Sequence, residues 1–456
     1  MTADAELWRD RARGYRTEQR MVEADQAIAV AASLDPDDRL TAFLQAQSAY
    51  ELGYPAADLF ARARQLWPEN TDIVRNHALA LASQGHVAAA ERVLADALAK
   101  APDWLDGHRV LSGLRFAHGD GEHFDASFAA ATRALPHHQG LWLGWFSTVA
   151  QQRDWPRARA VLDAALAQLG ETRPLAIAGA FLASESGDLA DAGQRLAALA
   201  DVHDDFLAIC RIRTALRRGD PRAAQDLALP LTGTPLAGQV WPYLATSWRL
   251  LGDSRAAWLD GDPVLVGEID PGFSANELAD LAELLRTLHT MQAPYPEQSV
   301  RGGTQTDRSV LLRHEPLLIE TRRRLLDGVR RFVATLPPPD PTHPVLARPR
   351  DNLRVSGSWS VRLGAGGYNV THSHPVGWLS SAFYVALPDD MGPAPAGHFH
   401  LGAPPPELGL DLAPYATIAP RVGRMVVFPS ILWHGTQPFA QGERLNIAFD
   451  VVSANR

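Results

Sequence analysis

Cysteine is almost absent from this sequence, because Cys210 stands alone among 456 residues. One cysteine cannot form an internal disulfide, and the paired cysteines of structural zinc sites are missing. No uninterrupted run of eighteen apolar residues occurs, so the sequence predicts no membrane-spanning helix. An excess of basic residues is lacking too, since 43 Lys and Arg face 52 Asp and Glu and the net charge is −9. That charge disfavours nucleic acid or an anionic membrane as the main partner.

The N-terminal segment also lacks a feature, namely the apolar core of a secretory signal, and it is charged from the start. Together with the single cysteine, this predicts a reducing, cytoplasmic location. The composition, 46% hydrophobic and 21% charged, is typical of a globular protein. The chain length predicts two or three domains.

Prolines and glycines recur at a fixed interval in the first 260 residues. Pro68, Pro102 and Pro136 lie 34 residues apart, and Pro36 lies 32 residues before the first of them. Glycines mark the same period half a repeat away, with the sequence RDWP near Asp154 filling the one gap. These glycines are Gly53, Gly85, Gly119, Gly187, Gly219 and Gly252.

The segments between these markers have helical spacing, as where Ala90, Val93, Leu94 and Leu98 share one face. Each unit therefore predicts a helix, a glycine turn, and a second helix that ends at proline. This pattern resembles the tetratricopeptide repeat, which implies stacked helix pairs with a concave face. Six to seven units fit residues 20–260. The resemblance implies a groove for a peptide or protein, and the alternative is a device for assembly, such as a homo-oligomer through the repeats.

The repeat pattern ends near residue 265. Residues 275–290 and 309–335 still have helical patterns, but the polar stretch between them, with paired glycines, predicts a loop. Residues 336–351 hold six prolines and predict no regular structure. We therefore divide the chain into a helical repeat domain (1–265), a helical and proline-rich connecting region that belongs to the catalytic part (266–350), and a final domain (351–456).

The final domain has the pattern of an antiparallel β-sandwich or barrel. Short segments rich in Val, Trp, Tyr and Phe alternate with Gly and Pro turns, as in SGSWSVRL, WLSSAFYVAL, GRMVVFPS and RLNIAFDVV. The fold class is thus α+β and multidomain.

Three histidines and one arginine in this domain indicate a metal site. His372 and His374 are separated by one residue, so on a strand they lie on the same side, roughly 6.6 Å apart at their Cα atoms. His434 ends another apolar segment, and Arg444 begins the last one. If the intervening residues form a hairpin connection, antiparallel pairing places Arg444 beside His434. A cation next to a metal ligand then calls for an anion between them.

The segments GYNVTHSHPVGWLSSAFYVALP and GRMVVFPSILWHGTQPF, followed by RLNIAFDV, resemble the Fe(II)/2-oxoglutarate-dependent oxygenases, in particular a bacterial prolyl- and aspartyl-hydroxylase-like branch. QSVRGGTQT at 298–306 is similar to that branch as well. The resemblance covers roughly residues 275–456 and implies a double-stranded β-helix, or jelly roll. It also implies Fe(II) bound by His372, His374 and His434, 2-oxoglutarate bound through Arg444, and O₂ as the oxidant.

One position departs from the family pattern, because His374 stands where the usual facial triad has a carboxylate. Either His374 ligates and forms a three-His centre, or it turns away and water or another anion completes the coordination shell. Ligation by His374 is our prediction. An open coordination position would also accept a halide, so halogenation stays an alternative.

Further residues are candidates for the same site. Tyr384 and Asn446 are expected to help hold 2-oxoglutarate, and Arg301, Gln305 and Trp378 to contact the substrate; each could instead be structural. His398 and His400, again one residue apart, form a rival metal pair without a downstream His and Arg.

The sequence therefore predicts an oxygenase that hydroxylates an unactivated C–H bond, on a peptide or protein side chain presented by the repeats, and releases succinate and CO₂. The alternatives are an oxygenase acting on a free amino acid or other metabolite, a three-His dioxygenase without cosubstrate, and a scaffold without catalysis.

Overall fold

The structure, a computed structural model, describes residues 3–453. Within that range the first part of the chain is helical, and two further helices lie between the first three strands. The helices are α1 (Ala3–Thr17), α2 (Met21–Leu34), α3 (Arg39–Leu52), α4 (Ala57–Leu66), α5 (Thr71–Ser83), α6 (Val87–Lys100), α7 (Leu105–Ala117), α8 (Ala126–Ala134), α9 (Gln139–Gln151), α10 (Trp155–Leu169), α11 (Arg173–Ser186), α12 (Leu189–Ala198), α13 (Asp205–Arg217), α14 (Pro221–Ala228), α15 (Ala237–Leu251), α16 (Ala275–Thr287) and α17 (Pro316–Val333).

Consecutive helices of the described residues pack as pairs, namely α1 with α2, α3 with α4, α5 with α6, α7 with α8, α11 with α12, and α13 with α14, which agrees with the predicted repeat. All six glycines of the predicted period have positive φ angles, from 67° at Gly252 to 99° at Gly119, a conformation that glycine adopts without steric cost. In the α9–α10 turn, where glycine is missing, Arg153 takes this conformation with φ 59°. The apolar face predicted for α6 is buried at Ala90, Leu94 and Leu98.

The strands lie in the last third of the chain except for two short ones. They are β1 (Gly267–Ile269), β2 (Val300–Gln305), β3 (Leu353–Asn369), β4 (Leu379–Ala386), β5 (Phe399–Leu401), β6 (Ala416–Ile418), β7 (Met425–Pro429), β8 (His434–Thr436) and β9 (Arg444–Ser453).

The strands form two antiparallel sheets. The larger has the order β1-β7-β4-β9-β3-β2 and the smaller has the order β6-β5-β8. From β4 to β9 the chain changes sheet between consecutive strands at every step except one, since β5 and β6 pair with each other in the smaller sheet. A β-bridge between His372 and His434 adds one more rung to the smaller sheet. This is the connectivity of a double-stranded β-helix, so the predicted fold class is confirmed.

One segment predicted as a loop contains a strand. β2 pairs with β3 at the sheet edge, with a register shift between Arg301 and Gly303. Gly302 has φ +68°, and a Cβ at Gly303 would lie 2.2 Å from the carbonyl oxygen of Arg362. The paired glycines that suggested a loop therefore permit a bulged edge strand in close contact with its neighbour. The proline-rich stretch 336–351 has no helix or strand, as predicted.

By the contacts between its residues, the chain divides into two compact units. The first comprises residues 1–148, 290–296 and 306–323, and the second comprises 149–289, 297–305 and 324–456. Helices α10–α15 therefore belong with the two sheets. Within the second unit, Leu408 and Trp433 lie in one apolar cluster with helices α13, α14 and α15. The Trp433 indole donates to the carbonyl oxygen of Pro242 (3.2 Å) and to Thr246 Oγ1 (3.1 Å).

This shared core leads to a prediction for truncation. A fragment lacking residues 1–260 loses helices α13–α15 and exposes Trp433 and Leu408, so we expect it to lose cooperative unfolding. In the full chain, Trp433→Ala should lower the free energy of unfolding by about 3–5 kcal/mol. Thermal unfolding followed by circular dichroism tests both. A sharp transition in the fragment near the melting temperature of the full chain would show that the sheets fold without those helices.

No helix among residues 3–453 has the length and apolar character needed to cross a membrane.

Candidate metal centre

His372 and His434 are held together by their own backbones. They form an isolated antiparallel bridge in which the amide of each donates to the carbonyl oxygen of the other at 2.9 Å. Directly opposite residues in such a pair point their side chains to the same face. Their imidazole centroids lie 4.3 Å apart.

His374 completes the group from the loop that follows. Its amide donates to the carbonyl oxygen of Ser430 at 2.8 Å. The centroid of its ring lies 5.0 Å from those of both His372 and His434. Among residues 3–453 these three side chains form the one group of three or more potential metal ligands, with one ligand atom of each within 4.8 Å of the others.

The hydrogen bonds of the three rings leave one nitrogen of each available. Nδ1 of His372 donates to the carbonyl oxygen of Val370 at 2.8 Å, and Nδ1 of His434 donates to that of Leu432 at 2.9 Å. Nδ1 of His374 donates to the Asp450 carboxylate, 2.7 and 2.6 Å from its two oxygens. Because each Nδ1 carries the proton, each Nε2 keeps a lone pair, which is the tautomer that a metal requires.

The electrostatic environment keeps two of these rings neutral. Burial lowers the pKa of His372 to about 3, with a further contribution from His374. Burial and the neighbouring His372 hold the pKa of His434 well below its usual value. Neutral imidazoles have no proton to release before they bind a cation.

Asp450 is a further candidate for this site that the sequence analysis did not single out. It is buried near the end of β9, and the hydroxyl of Ser380 also donates to it at 2.7 Å. Arg444, Asn446 and Asp450 are separated by even numbers of residues, so on a strand they share one face. That alternation was present in RLNIAFD and could have indicated Asp450.

A second set of polar groups lines the same interior face. Arg444 is 1% exposed, Tyr384 1% and Asn446 4%. Asn446 lies opposite Tyr384 in the β4–β9 register, and the Arg444 guanidinium carbon is 5.0 Å from the centre of the Tyr384 ring. Arg444 Nη1 donates to the carbonyl oxygen of Gly397 at 2.9 Å.

These buried polar groups are incompletely paired. Arg444 Nε, Tyr384 Oη and Asn446 Oδ1 have no hydrogen-bond partner, and no carboxylate of the described residues forms an ion pair with Arg444. Burial lowers the pKa of Arg444 and raises that of Tyr384. A buried guanidinium without an anion is costly. The donors therefore fit a carboxylate ligand, and the three histidines fit a divalent metal ion.

The predicted hairpin between His434 and Arg444 is wrong. β8 pairs with β5 in the smaller sheet, whereas β9 pairs with β3 and β4 in the larger one. Arg444 instead lies in the larger sheet beside Tyr384. Tyr384 and Phe399 belong to one apolar cluster, and the Phe399 ring lies 6.0 Å from that of His434. The cause is the alternation of successive strands between the sheets, which spacing along the chain does not reveal.

Two tryptophans take different places. Trp359 lies edge-on to His374 with ring centroids 5.9 Å apart, and it is half-buried, so it forms part of the wall beside the histidines. Trp378, expected at the substrate, is buried in the core, and its indole donates to the carbonyl oxygen of Val345 at 2.9 Å. That contact gives Trp378 a structural partner away from the ligand atoms.

The remaining candidates lie on other strands. Arg301 and Gln305 are half-buried on the edge strand β2, opposite Tyr368 and Val361. His400 lies opposite Gly435 in the β5–β8 register. Since neighbours along a strand point to opposite faces, His400 points away from His434. His398 is half-buried beside it, and the two form no metal-binding group with a third ligand among the described residues.

Part of the sequence matches the model of one protein family. Residues 357–450 match the sequence model of a family described as "Putative 2OG-Fe(II) oxygenase". The match contains all three histidines, Asp450 and Arg444, and it covers about a fifth of the chain. No curated protein matches the chain.

Several solved structures are similar to parts of the chain. The viral collagen prolyl hydroxylase vCPH of Paramecium bursaria Chlorella virus-1, in its 2OG complex, is 16% identical, with 42% of this chain and 97% of that chain covered and a TM-score of 0.28. HygX of Streptomyces hygroscopicus with nickel and 2-oxoglutarate is 14% identical, with coverages of 42% and 84% and a TM-score of 0.29. A tetratricopeptide repeat protein of Parabacteroides merdae is 14% identical, with coverages of 55% and 98% and a TM-score of 0.34. Since these TM-scores are low, the assignment depends on the family match and on the geometry of the site.

Proposed function

We propose that this chain, whose C-terminal part carries a 2OG-Fe(II) oxygenase domain over residues 357–450, hydroxylates an unactivated C–H bond of a peptide or protein side chain. The family match names the cosubstrate and the metal, Fe(II) and 2-oxoglutarate. The observation that supports catalysis most strongly is the presence of two sets of groups in the same domain: three imidazoles whose ligand atoms lie within 4.8 Å of one another, and a buried arginine that pairs with no carboxylate of the described residues.

Each group of residues has a separate task in this proposal. Nε2 of His372, His374 and His434 would hold the iron, which leaves its other coordination positions to ligands from outside the chain. When bound, Fe(II) and 2-oxoglutarate supply the oxidation of a C–H bond by O₂, with succinate and CO₂ as coproducts. Arg444 would pair with the distal carboxylate of the cosubstrate, and the hydroxyl of Tyr384 would donate to the same group.

Asp450 compensates for the carboxylate that the three-His set lacks. Its negative charge lies one hydrogen bond away from the proposed ligand His374, and such a partner fixes the ring orientation and raises the basicity of the metal-binding nitrogen. Ser380 and Ser430 hold Asp450 in place, because Ser380 Oγ lies 2.7 Å from Asp450 and 2.9 Å from Ser430 Oγ. A Cβ at Gly377 would come within 2.4 Å of Ser430 Oγ, so the chain is close-packed behind this pair.

We predict that Asp450→Asn and Asp450→Ala lower the affinity for a divalent metal by about 10- to 100-fold. The asparagine amide oxygen can still accept from His374 Nδ1, so Asp450→Asn removes the charge and keeps the orientation, whereas Asp450→Ala removes both. Competition titration with Co(II) and a metal indicator measures the affinity without turnover. The Co(II) absorption bands report any change of geometry. Wild-type affinity in both variants would show that Asp450 has no part in the metal centre.

The later repeat helices provide a place for the substrate. Helix α15 touches the loop that carries His374, since a Cβ at Gly238 would lie 2.0 Å from the carbonyl oxygen of Pro375. The Tyr243 ring on the same helix meets the ring of Trp433 at 5.3 Å, one residue before His434. A substrate segment bound along these helices would therefore lie next to the proposed iron ligands. Repeats of this kind serve to present extended binding surfaces.

The proposal is tested by finding the product. The iron-loaded full chain is incubated with 2-oxoglutarate and a cell extract, and peptides and metabolites are searched for products heavier by one oxygen atom. We expect a peptide product that depends on both Fe(II) and 2-oxoglutarate and is absent with His434→Ala. A product found only in the metabolite fraction would contradict the proposed peptide substrate but would still support an oxygenase activity.

A further inference from the structure

The interior face of the larger sheet is accessible to water at Ala448. On β9, the inward-facing Arg444 and Asn446 are 1% and 4% exposed, whereas Ala448, two residues further along the same face, is half-buried. Its neighbours Ile447 and Phe449, which point to the other face, are almost fully buried. The exposed surface of Ala448 therefore lies on its inward side, and the interior is open to solvent there.

Trp359 forms one side of this opening. It lies directly opposite Ala448 in the β3–β9 register, and Ala382 of β4 lies opposite Ala448 on the other side. Directly opposite residues point to the same face, so the indole ring stands beside two methyl groups. The ring is half-buried, and its centroid is 5.9 Å from that of His374. A Cβ at Gly357 would lie 2.8 Å from Trp359 Cη2, so the ring lies along β3 where glycine leaves room for it.

His374 is also partly exposed at this opening. Its side chain is 21% exposed, although the Asp450 side chain that accepts from Nδ1 is only 10% exposed. Because Asp450 covers Nδ1, the exposed surface of His374 lies on the remaining part of the ring. The loop that carries His374 adds an apolar side chain, Val376, which is 83% exposed. We call the surface formed by Trp359, Ala448 and His374 the His374 opening.

Gln305 lies at the edge of the His374 opening. β2 ends at Gln305, opposite Val361, so these two side chains point to the same inward face and Gln305 is a diagonal neighbour of Trp359. The preceding Thr304 points to the outer face, where its hydroxyl is hydrogen-bonded to His289 Nδ1 at 2.8 Å. The half-buried amide of Gln305 therefore faces the interior on the same side of the sheet as the indole.

Two polar groups at the His374 opening are free to bind a ligand. Among residues 3–453, neither the Trp359 indole N–H nor the Gln305 side-chain amide forms a hydrogen bond, and neither is buried from solvent. The indole is a donor only, whereas the amide has both donors and an acceptor. A peptide bond, which also has one donor and one acceptor, is complementary to such an amide.

The lining of the His374 opening favours an uncharged substrate group. The indole ring and the methyl group of Ala448 offer apolar surface, and the indole N–H and the Gln305 amide are neutral. A charged side chain would lose its hydration here without gaining an ionic partner. An apolar side chain loses no hydrogen bond and gains contact with the ring. A cation above the ring face is the alternative that an indole allows, and a lysine peptide tests it.

We propose that Trp359 and Gln305 bind the substrate. The indole ring packs against a neutral, apolar side chain of a peptide, and the Gln305 amide pairs with an adjacent peptide bond. This inference rests on the proposed function. The hydroxylated carbon then belongs to that apolar side chain, because the ring that holds it lies 5.9 Å from the ring of the proposed iron ligand His374.

Paramagnetic NMR measures this binding without turnover. The full chain is loaded with Mn(II) in place of iron and with saturating 2-oxoglutarate. Capped tripeptides with a central Leu, Glu or Lys between two alanines are titrated in. Mn(II) shortens the proton relaxation time of a peptide only when the peptide binds close to the metal, so relaxation against concentration gives Kd. The same titration with Zn(II) is the diamagnetic control.

Three variants test the two residues. Trp359→Ala removes the ring, Trp359→Phe keeps an aromatic face without the N–H, and Gln305→Ala removes the amide. Phe206→Ala is the matched control, because Phe206 on α13 is an aromatic side chain that is 51% exposed and lies outside both sheets. The thermal unfolding transition and the Mn(II) content, measured by electron paramagnetic resonance, are recorded for each variant before the titration.

We expect the Leu peptide to bind about tenfold more tightly than the Glu and Lys peptides. Trp359→Ala should weaken binding of the Leu peptide about tenfold, Trp359→Phe about threefold and Gln305→Ala about fivefold. Phe206→Ala should leave Kd unchanged. If Trp359→Ala fails to fold or to hold Mn(II), Trp359→Phe and Gln305→Ala decide the outcome.

Equal or tighter binding of the Glu or Lys peptide, or relaxation of none of the peptides, would overturn the proposal. Unchanged Kd for the Leu peptide in the folded variants of Trp359 and in Gln305→Ala would do the same. A wild-type chain that binds neither Mn(II) nor 2-oxoglutarate would contradict the proposed function itself. A chain that binds both and fails the peptide tests contradicts only the roles of Trp359 and Gln305.

Discussion

Replacing Arg444 with alanine should weaken the binding of 2-oxoglutarate by roughly 30-fold to several-thousand-fold. The guanidinium is almost fully buried and has no acidic partner among the described residues, so a carboxylate that enters meets a desolvated cation. Alanine removes that charge and its donors together. Calorimetric titration of 2-oxoglutarate into the Ni(II)-substituted chain measures the loss without oxidation. Metal content should stay at the wild-type value, because Arg444 makes no contact with the histidines.

Two further substitutions separate charge from geometry at this position. Arg444→Lys should recover part of the affinity, since an ammonium supplies charge without the planar fork of donors. Tyr384→Phe removes one unpaired hydroxyl beside it and should cost about tenfold or less. Unchanged 2-oxoglutarate affinity in Arg444→Ala, with a native unfolding transition, would show that the arginine is structural. A wild-type chain that binds no 2-oxoglutarate would favour a three-His dioxygenase without cosubstrate.

His372→Ala and His434→Ala should each abolish metal binding. Neutral imidazoles carry no charge that attracts the cation. Two of them, left after either substitution, should therefore bind the metal ion too weakly to displace the water that hydrates it. Equilibrium dialysis against Fe(II) without oxygen measures this directly. His400→Ala is the matched control, because His400 lies on the neighbouring strand and points to the opposite face, and it should keep wild-type iron content.

His374→Ala tests whether the third ring is a ligand. Its Nδ1 is bound to Asp450, so Nε2 is free to coordinate, and we expect a loss comparable to that of the other two variants. His374→Asp should still bind iron, since it restores the commoner carboxylate. Wild-type iron affinity in His374→Ala would show that the centre uses two histidines.

The helix pairs and the shared face of His372 and His374 could be predicted from the sequence alone. The 34-residue spacing of prolines and glycines predicted the helix pairs because each marker has a local physical role in ending a helix or turning the chain. The same is true of His372 and His374, whose spacing predicted a shared face. Local rules were enough wherever a feature depends on neighbours along the chain.

Contacts between segments that are distant in the sequence could not be predicted from it. The place of Arg444 depended on which sheet each strand joins, and Asp450 lies 76 residues from the histidine that it holds. The sharing of an apolar core by α15 and Trp433 likewise depends on residues about 190 positions apart. Such pairings follow from tertiary packing, and no spacing rule applied to a single sequence reports them.

The most direct measurement adds 2-oxoglutarate to the wild-type chain loaded with Fe(II) in the absence of oxygen and records the visible spectrum. If the three histidines hold iron and the interior donors hold the cosubstrate, a metal-to-ligand charge-transfer band appears and saturates at one 2-oxoglutarate per iron. An iron-loaded chain whose spectrum stays unchanged at saturating 2-oxoglutarate would contradict the account, because the cosubstrate would then not reach the metal.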